Sequence, residues 1–252
     1  KYVYGKNNEI KEIFDNKQRM SVKLEYNKNG SEVLRKFGNG TRQATLYDKA
    51  GRVTAIIHKT DQGDLLWSEA YIYDTDGKRR ATADNKGAIT LYEYNKQGQL
   101  SAVWYPYTQE TINTLKAQAE ENGLATNTQA GENRYLPADV REQLLPLMNS
   151  IQYGLANKVS NLQIFIKEAY SYDKTGNRAS KTTKYGTIEY KYDQENRLLS
   201  TGSKGQAYVN YTYDNLGNLL SQTSNFKTVK YAYNAQNRLI YCEETDKASK
   251  NY

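Results

Sequence analysis

The chain has 252 residues, with 35 Lys and Arg against 28 Asp and Glu, a net charge of +7 and a mean hydropathy of -0.89. One His and one Cys exclude a Cys/His zinc centre and an internal disulfide, and no run of about 18 apolar residues exists to cross a membrane as a helix. So polar a composition would suit disorder, but 24 Tyr at strict spacing argue against that and point to a single sheet with one face on water or on a large solvent-filled cavity.

Tyr2-x-Tyr4 opens the chain as a strand end. Gly5 follows where later copies carry Asx, so Tyr4 begins a degenerate copy of a motif, Tyr-Asx-x-x-(Gly or Asn). The full copies in residues 1–105 are Tyr26-Asn27 with Gly30, Tyr47-Asp48 with Gly51, Tyr73-Asp74 with Gly77, and Tyr94-Asn95 with Gly98. Between them lie further turn signals: Gly38-Asn39-Gly40, Asp61-Gln62-Gly63 and Asn85-Lys86-Gly87. Each unit reads as strand, Asx turn, strand, and a looser return turn.

Residues 106–167 lack the motif. Gln109 to Asn122 reads as a helix with Ile112, Leu115 and Ala119 on one face and Gly123 as its stop. Ala125 to Asn133 is polar and reads as a loop. A second helix is expected from Pro137, a tolerated first-turn residue, carrying Val140, Leu144, Leu145, Leu147 and Met148. Pro146 is expected to kink it or to divide it. Ile151 to Ile166 continues as helix or returns to strand.

The motif resumes in residues 168–252. Its copies are Tyr172-Asp173 with Gly176, Tyr192-Asp193 with Asn196, Tyr213-Asp214 with Gly217, and Tyr233-Asn234 with Asn237. Successive copies are 21, 26, 21, 78, 20, 21 and 20 residues apart, the long step holding the insertion. Such a period marks a repeat architecture with one supersecondary unit per copy. Return turns are expected at Tyr185-Gly186 and Lys204-Gly205.

Variation among the copies shows what each position does. Asp and Asn alternate after the Tyr and share a side-chain carbonyl oxygen, which accepts from the amide two residues on in an Asx turn. Gly and Asn alternate four residues after the Tyr, and both enter the left-handed region at low cost. The motif is thus a type I turn with a bulge. A second Tyr two residues before the motif (Tyr71, Tyr92, Tyr170, Tyr190, Tyr211, Tyr231) faces the same side of the strand. Val53, Leu100, Leu198, Leu219 and Leu239 recur six positions after the Tyr.

Phe37–Val53, Tyr190–Leu198 and Tyr211–Leu219 resemble the YD repeats of Rhs-family proteins, and the resemblance covers residues 1–105 and 168–252. It implies a mainly β fold: antiparallel hairpin repeats forming a spiralling, shell-like sheet, here with one α-helical insertion. In bacterial Rhs polymorphic toxins and in the B and C components of insecticidal toxin complexes, such a shell is similar to a cocoon around a toxic C-terminal domain; teneurins are distant relatives used in adhesion. The resemblance implies a secreted or cell-surface bacterial protein whose partners are the rest of the shell and the enclosed effector. It also implies that self-cleavage lies elsewhere, because the family's releasing segment holds Asp-Pro and the three prolines here follow Tyr105, Leu136 and Leu145.

Charge follows the same division. Residues 106–167 hold five basic and six acidic side chains, so the repeats carry +8 of the total. A diffuse basic surface reads as a solvated face or as attraction to an acidic partner. No nucleic-acid module is recognisable, so nucleic acid is not an expected partner. No phosphate loop is present, His58 and Cys242 read as strand residues, and Asn in three copies argues against Asp catalysis or calcium ligation. No catalytic residue, metal ligand or cofactor is expected. Both ends fall inside repeat units, and the chain is expected to be a fragment of a longer one. Two functions follow: a non-catalytic wall segment that encloses or presents a toxin, or a surface adhesin binding carbohydrate through Tyr-rich hairpins.

Overall fold

The computed structural model describes residues 1–124, 132–152, 154–160, 162–203 and 205–247. The expected loop from Ala125 lies mostly outside the described residues, as does Lys204. The fold is mainly antiparallel β, with nineteen strands and two α-helices among the described residues. In chain order these are β1 (Tyr2–Tyr4), β2 (Ile10–Phe14), β3 (Met20–Tyr26), β4 (Glu32–Phe37), β5 (Arg42–Tyr47), β6 (Val53–Lys59), β7 (Leu65–Tyr73), β8 (Arg79–Asp84), β9 (Ile89–Tyr94) and β10 (Leu100–Pro106). There follow α1 (Gln109–Glu121), β11 (Glu132–Tyr135), α2 (Ala138–Ile151), a 3-10 turn (Leu155–Lys158) and β12 (Leu162–Tyr172). The rest are β13 (Arg178–Thr183), β14 (Gly186–Tyr192), β15 (Leu198–Ser203), β16 (Gln206–Tyr213), β17 (Leu219–Ser224), β18 (Lys227–Tyr233) and β19 (Leu239–Asp246).

The chain forms two compact units, one of residues 1–92 and 133–163, the other of 93–132 and 164–252. In the first, β1 to β8 pair in chain order, each antiparallel to the next, and β8 pairs with β9. Helix α2 covers β6, β7 and β8. Val140, Leu144, Met148 and Ile151 are buried, as are Ala55, Ile57, Ala70, Ile72, Ala81 and Ala83. Small residues on these strands let the helix approach, and burying Val, Leu, Met and Ile side chains contributes about 1.5–3 kcal/mol each.

Pro137 is the N-cap of α2, and the helix runs through Pro146 instead of dividing there. Pro146 removes one backbone bond, to the carbonyl four residues earlier. The buried face on both sides of it outweighs that loss.

In the second unit β10 pairs with β12, from Ala102–Ala169 to Pro106–Phe165, so strand pairing already begins within residues 106–167. β12 to β19 then pair in chain order. Thr108 caps α1, its hydroxyl accepting from the Thr111 amide at 3.1 Å. Leu115 and Ala119 pack on Ile166 and Tyr185, with Ile112 and Leu124 alongside. Gly123, at φ +71°, follows the C-cap Asn122.

The return turns of the first unit are not looser than the Asx turns. Gly40, Gly63 and Gly87 donate to Phe37, Thr60 and Asp84 carbonyls at 3.0, 3.2 and 3.1 Å, each with positive φ. The same backbone turn forms at Asp15, where Gln18 takes φ +60°. Thr60 and Asp84 supply the side-chain oxygen that the motif Asx supplies elsewhere. In the second unit Thr183 faces Gly186 across a two-residue connection, and Asn225-Phe226 links β17 to β18 in the same way.

Candidate functional site

At each of the eight motif copies the Asx carbonyl accepts from the amide three residues on. Asp48, for example, accepts from Gly51 at 3.0 Å, while its own amide donates to the Arg52 carbonyl at 2.9 Å. The Asx Oδ1 also accepts from the amide four residues on in every copy, from Ser31 at 2.9 Å to Arg238 at 3.0 Å. In seven copies it accepts from the amide two residues on as well. Asp and Asn satisfy these bonds equally. Gly30, Gly51, Gly77, Gly98, Gly176 and Gly217 take φ from +79° to +92°, and Asn196 and Asn237 take +60° and +56°. Strand register slips at the Tyr, as a bulge requires; Tyr47 pairs with Val53.

The same turn forms without Tyr at Asp15 and Asp84, so the Tyr serves another purpose. In five copies its hydroxyl donates to a carbonyl of the preceding copy, the fifth residue after that copy's Asx or its equivalent. Tyr47 reaches Glu32 at 2.8 Å, Tyr73 reaches Val53 at 2.7 Å, and Tyr213 reaches Leu198 at 3.0 Å. Tyr26 reaches Ile10 at 2.8 Å, which makes Gly5 the Asx equivalent of the degenerate first copy. Tyr172 reaches Leu100 at 2.7 Å. In these five copies the motif Tyr is therefore a rung that ties its hairpin to the one before it.

A second tie comes from the residue four after the Asx. Arg52 Nε pairs with Asp48 at 2.6 Å, its Nη1 donates to the Asp74 carbonyl of the next turn at 3.2 Å, and its guanidinium lies 4.9 Å from the Tyr73 ring centre. Arg197 repeats all three contacts with Asp193, Asp214 and Tyr213. Where that residue is Asn, the next copy carries Asn in the left-handed position: Asn177 donates to Asn196 at 2.7 Å and Asn218 to Asn237 at 3.2 Å. Asn thus replaces Gly where a donor from the preceding turn can reach it.

These bonds shift the carboxyls. Asp48 and Asp193 are pushed up by desolvation but held below the usual Asp value overall by the amide and guanidinium of Arg52 and Arg197. The Thr175 hydroxyl lowers Asp173, the Asn218 amide lowers Asp214, and the Arg19 amide lowers Asp15.

The upstream Tyr of two pairs sits in a Glu–Tyr–Arg stack. Tyr71 donates to Glu69 at 2.9 Å beneath Arg79, 4.6 Å away, and burial with Glu69 pushes its hydroxyl up to about 12. Tyr170 donates to Glu168 beneath Arg178, also at 4.6 Å, and burial raises its hydroxyl further. Glu168 is buried and pairs with buried Lys181 at 3.0 Å, and Gln118 of α1 accepts from Lys181. Beside this group lies a cavity of about 390 Å³, lined by Tyr105, Tyr170, Arg178 and Lys181 of the sheet and Glu110 and Thr114 of α1, among others.

The sequence holds a signal for these stacks that motif spacing alone did not show: Glu-Ala-Tyr-x-Tyr-Asp-x-x-Gly-x-Arg occurs at 69–79 and at 168–178. Four basic residues of the repeats, Arg52, Arg79, Arg178 and Arg197, lie over Tyr rings. His58 sits 5.4 Å from Trp67, its cross-strand partner, and Cys242 is exposed on β19. Among the described residues no group of three His, Cys, Asp or Glu is placed to hold a metal.

No protein-family model and no curated protein matches the sequence. Solved structures match the fold. The Photorhabdus luminescens Tc holotoxin pore covers 100% of this chain at TM-score 0.57 and 15% identity. TcdB2-TccC3-TEV covers 94% at 0.54 and 15%, and TcdB2-TccC3 covers 97% at 0.52 and 16%. This chain spans 12%, 11% and 13% of those chains respectively. It has the fold of a part of the Tc toxin-complex chains, a likeness that agrees with the YD-repeat resemblance of its motifs.

Proposed function

We propose that this chain is a non-catalytic structural segment of an Rhs/YD-repeat wall that encloses or presents a toxin or effector domain, in a bacterial protein that is secreted or held at the cell surface. The observation that carries this is the Tyr172–Leu100 rung, which continues the hairpin ladder past residues 106–167. The polar groups of the motif shape its own turn and, through the Tyr hydroxyls of five copies and through Arg52, Arg197, Asn177 and Asn218, hold one hairpin to the next, which is the economy of a wall and not of a reaction centre. The likeness to toxin-complex chains supports the same reading. Residues 106–167 then form a helical elaboration resting on the sheet.

The test uses the full protein that contains this chain. It is treated with a broad protease alongside the same effector domain released by denaturation and refolding. The enclosed domain should survive doses that destroy the free one. Equal digestion would overturn the reading.

The cavity beneath α1 favours a second reading, glycan-mediated adhesion. Tyr105, Tyr170, Arg178, Lys181 and Glu110 line it together, a mix of aromatic and charged groups of the kind that grips a sugar. Binding on a glycan array that Tyr105→Ala removes would support it; an array without binding would exclude it.

A further inference from the structure

In the second unit α1 lies on the sheet over a pocket of about 390 Å³. The pocket floor is charged and fixed in place. Glu168 and Lys181 are 4% and 8% exposed and pair at 3.0 Å, and Lys181 also donates to Gln118 of α1. The rim is open, since Glu110, Thr114 and Arg178 are exposed. Helix and sheet contribute equally to the lining: five α1 residues between Glu110 and Gln118, and five residues of β10, β12 and β13.

The lining selects against a charged ligand. Glu110 and Glu168 balance Arg178 and Lys181, so the pocket carries no net charge. At the floor an anion would meet Glu168 and a cation would meet Lys181, both out of water, where an uncompensated charge is costly. Arg178 lies over the Tyr170 ring at 4.6 Å on the exposed rim, where solvent screens its pull on an anion. Three hydroxyls and an amide complete the polar lining: Tyr105, Tyr170, Thr114 and Gln118. Each of these groups can both donate and accept, as sugar hydroxyls do. At about 390 Å³ the pocket is near the lower end of the usual ligand range, roughly 300–1,000 Å³, and suits about one or two sugar rings.

We propose that this pocket binds a small neutral sugar and that the sugar holds α1 on the sheet. α1 has 13 residues, a length at which a helix in water is marginal without tertiary support. Its apolar seat is small: Leu115 and Ala119 on Ile166 and Tyr185, with Ile112 and Leu124 alongside. A ligand between Thr114 and Gln118 of the helix and Tyr105 and Tyr170 of the sheet adds a second, polar seat. Because such a ligand binds only the docked helix, it stabilises docking by mass action. The choice of a sugar rests on the glycan reading of this pocket; its neutrality and its bridging of helix and sheet go beyond that reading.

The probes are glucose, galactose and mannose, each beside its own uronate, which adds a negative charge at nearly the same size. Each is titrated into the full protein that contains this chain and followed by amide hydrogen exchange. At least one neutral sugar should protect the α1 amides and leave those of α2 unchanged, with an affinity about tenfold or more above that of its uronate. Thr114→Val, at an exposed position, should weaken that sugar about fivefold, the worth of one net hydrogen bond, without moving the melting temperature of the sugar-free protein. Protection by none of the three sugars would overturn the inference. So would a uronate that binds as well as its sugar, or sugar binding that leaves α1 exchange unchanged. That last result would spare the glycan reading, because the array scores capture and not the state of α1. Conversely, α1 protection by a free sugar beside an empty array would end adhesion and leave the inference standing.

Discussion

The Tyr172 hydroxyl donates to the Leu100 carbonyl at 2.7 Å across 72 residues of chain. The two belong to consecutive motif copies, so residues 106–167 leave the ladder and return to it without changing its register. Replacing Tyr172 by Phe removes one donor and leaves a half-buried carbonyl without it. Stability to urea should fall by about 1–2 kcal/mol. Tyr241→Phe, on the exposed edge strand, should leave the midpoint unchanged. Equal effects would mean that the rung does not hold hairpins together.

Arg52 joins two turns through three contacts that need a planar fork. Arg52→Lys keeps the charge and loses the fork and most of the stacking. The site is more than a third exposed, so the expected cost is a few tenths to about 1 kcal/mol. Thermal melting should show a small drop for Lys and a larger one for Ala. A Lys variant equal to the parent would reduce the contact to plain charge attraction.

Asn196 occupies the left-handed region and accepts from Asn177 at 2.7 Å. Asn196→Ala should cost about 1–2 kcal/mol, because Ala meets the left-handed penalty without a compensating bond. Asn196→Gly should be near neutral, trading the bond for backbone freedom. A double-mutant cycle with Asn177→Ala should give a coupling of about 0.5–1 kcal/mol; no coupling would mean that the side chains do not share the bond.

Glu168 and Lys181 are both buried and pair at 3.0 Å. Lys181→Met leaves a carboxylate buried without its cation and should cost about 3–5 kcal/mol. Lys181→Met with Glu168→Gln should recover much of that loss. A chemical-denaturation series of the three variants checks both statements.

Asp15, Asp48, Asp173, Asp193 and Asp214 all titrate below their ordinary value in the folded chain. A lowered folded pKa gives stability that is complete above the unfolded value, about 3.9, and is lost as pH falls through the folded one. The melting temperature should therefore be flat against this group from pH 7 to about 5 and fall below about 4. Asn at positions 48, 173, 193 and 214 should flatten that acid limb, since Asn already serves at 27, 95 and 234. An unchanged limb would assign acid sensitivity to other groups.

The Asx turn was legible because all its bonds lie within five residues. Alternation of Asp with Asn, and of Gly with Asn, was enough to separate geometry from charge. Helix α1 was legible for the same reason, and its observed span of Gln109–Glu121 follows from its apolar face and the Gly after it. The first-unit return turns were less so. Thr60 stands for Asx at one of them and Phe37 at another, and neither announces a turn by type. Of the two outcomes expected at Pro146, division of the helix does not occur, because packing of α2 on β6, β7 and β8 holds one continuous helix across it.

By itself the sequence determined the hairpin and its corner, since an Asx oxygen and a left-handed residue act on their own neighbours and need nothing distant. It also determined the mainly β class, because aromatic and β-branched residues alternate between those corners. Tertiary structure alone decided the partners: which carbonyl receives each Tyr, which turn each Arg clamps, and how Glu168 finds Lys181 under α1. Such contacts depend on strand order and register. Those are set by the summed pairing and burial of many residues and not by any one of them.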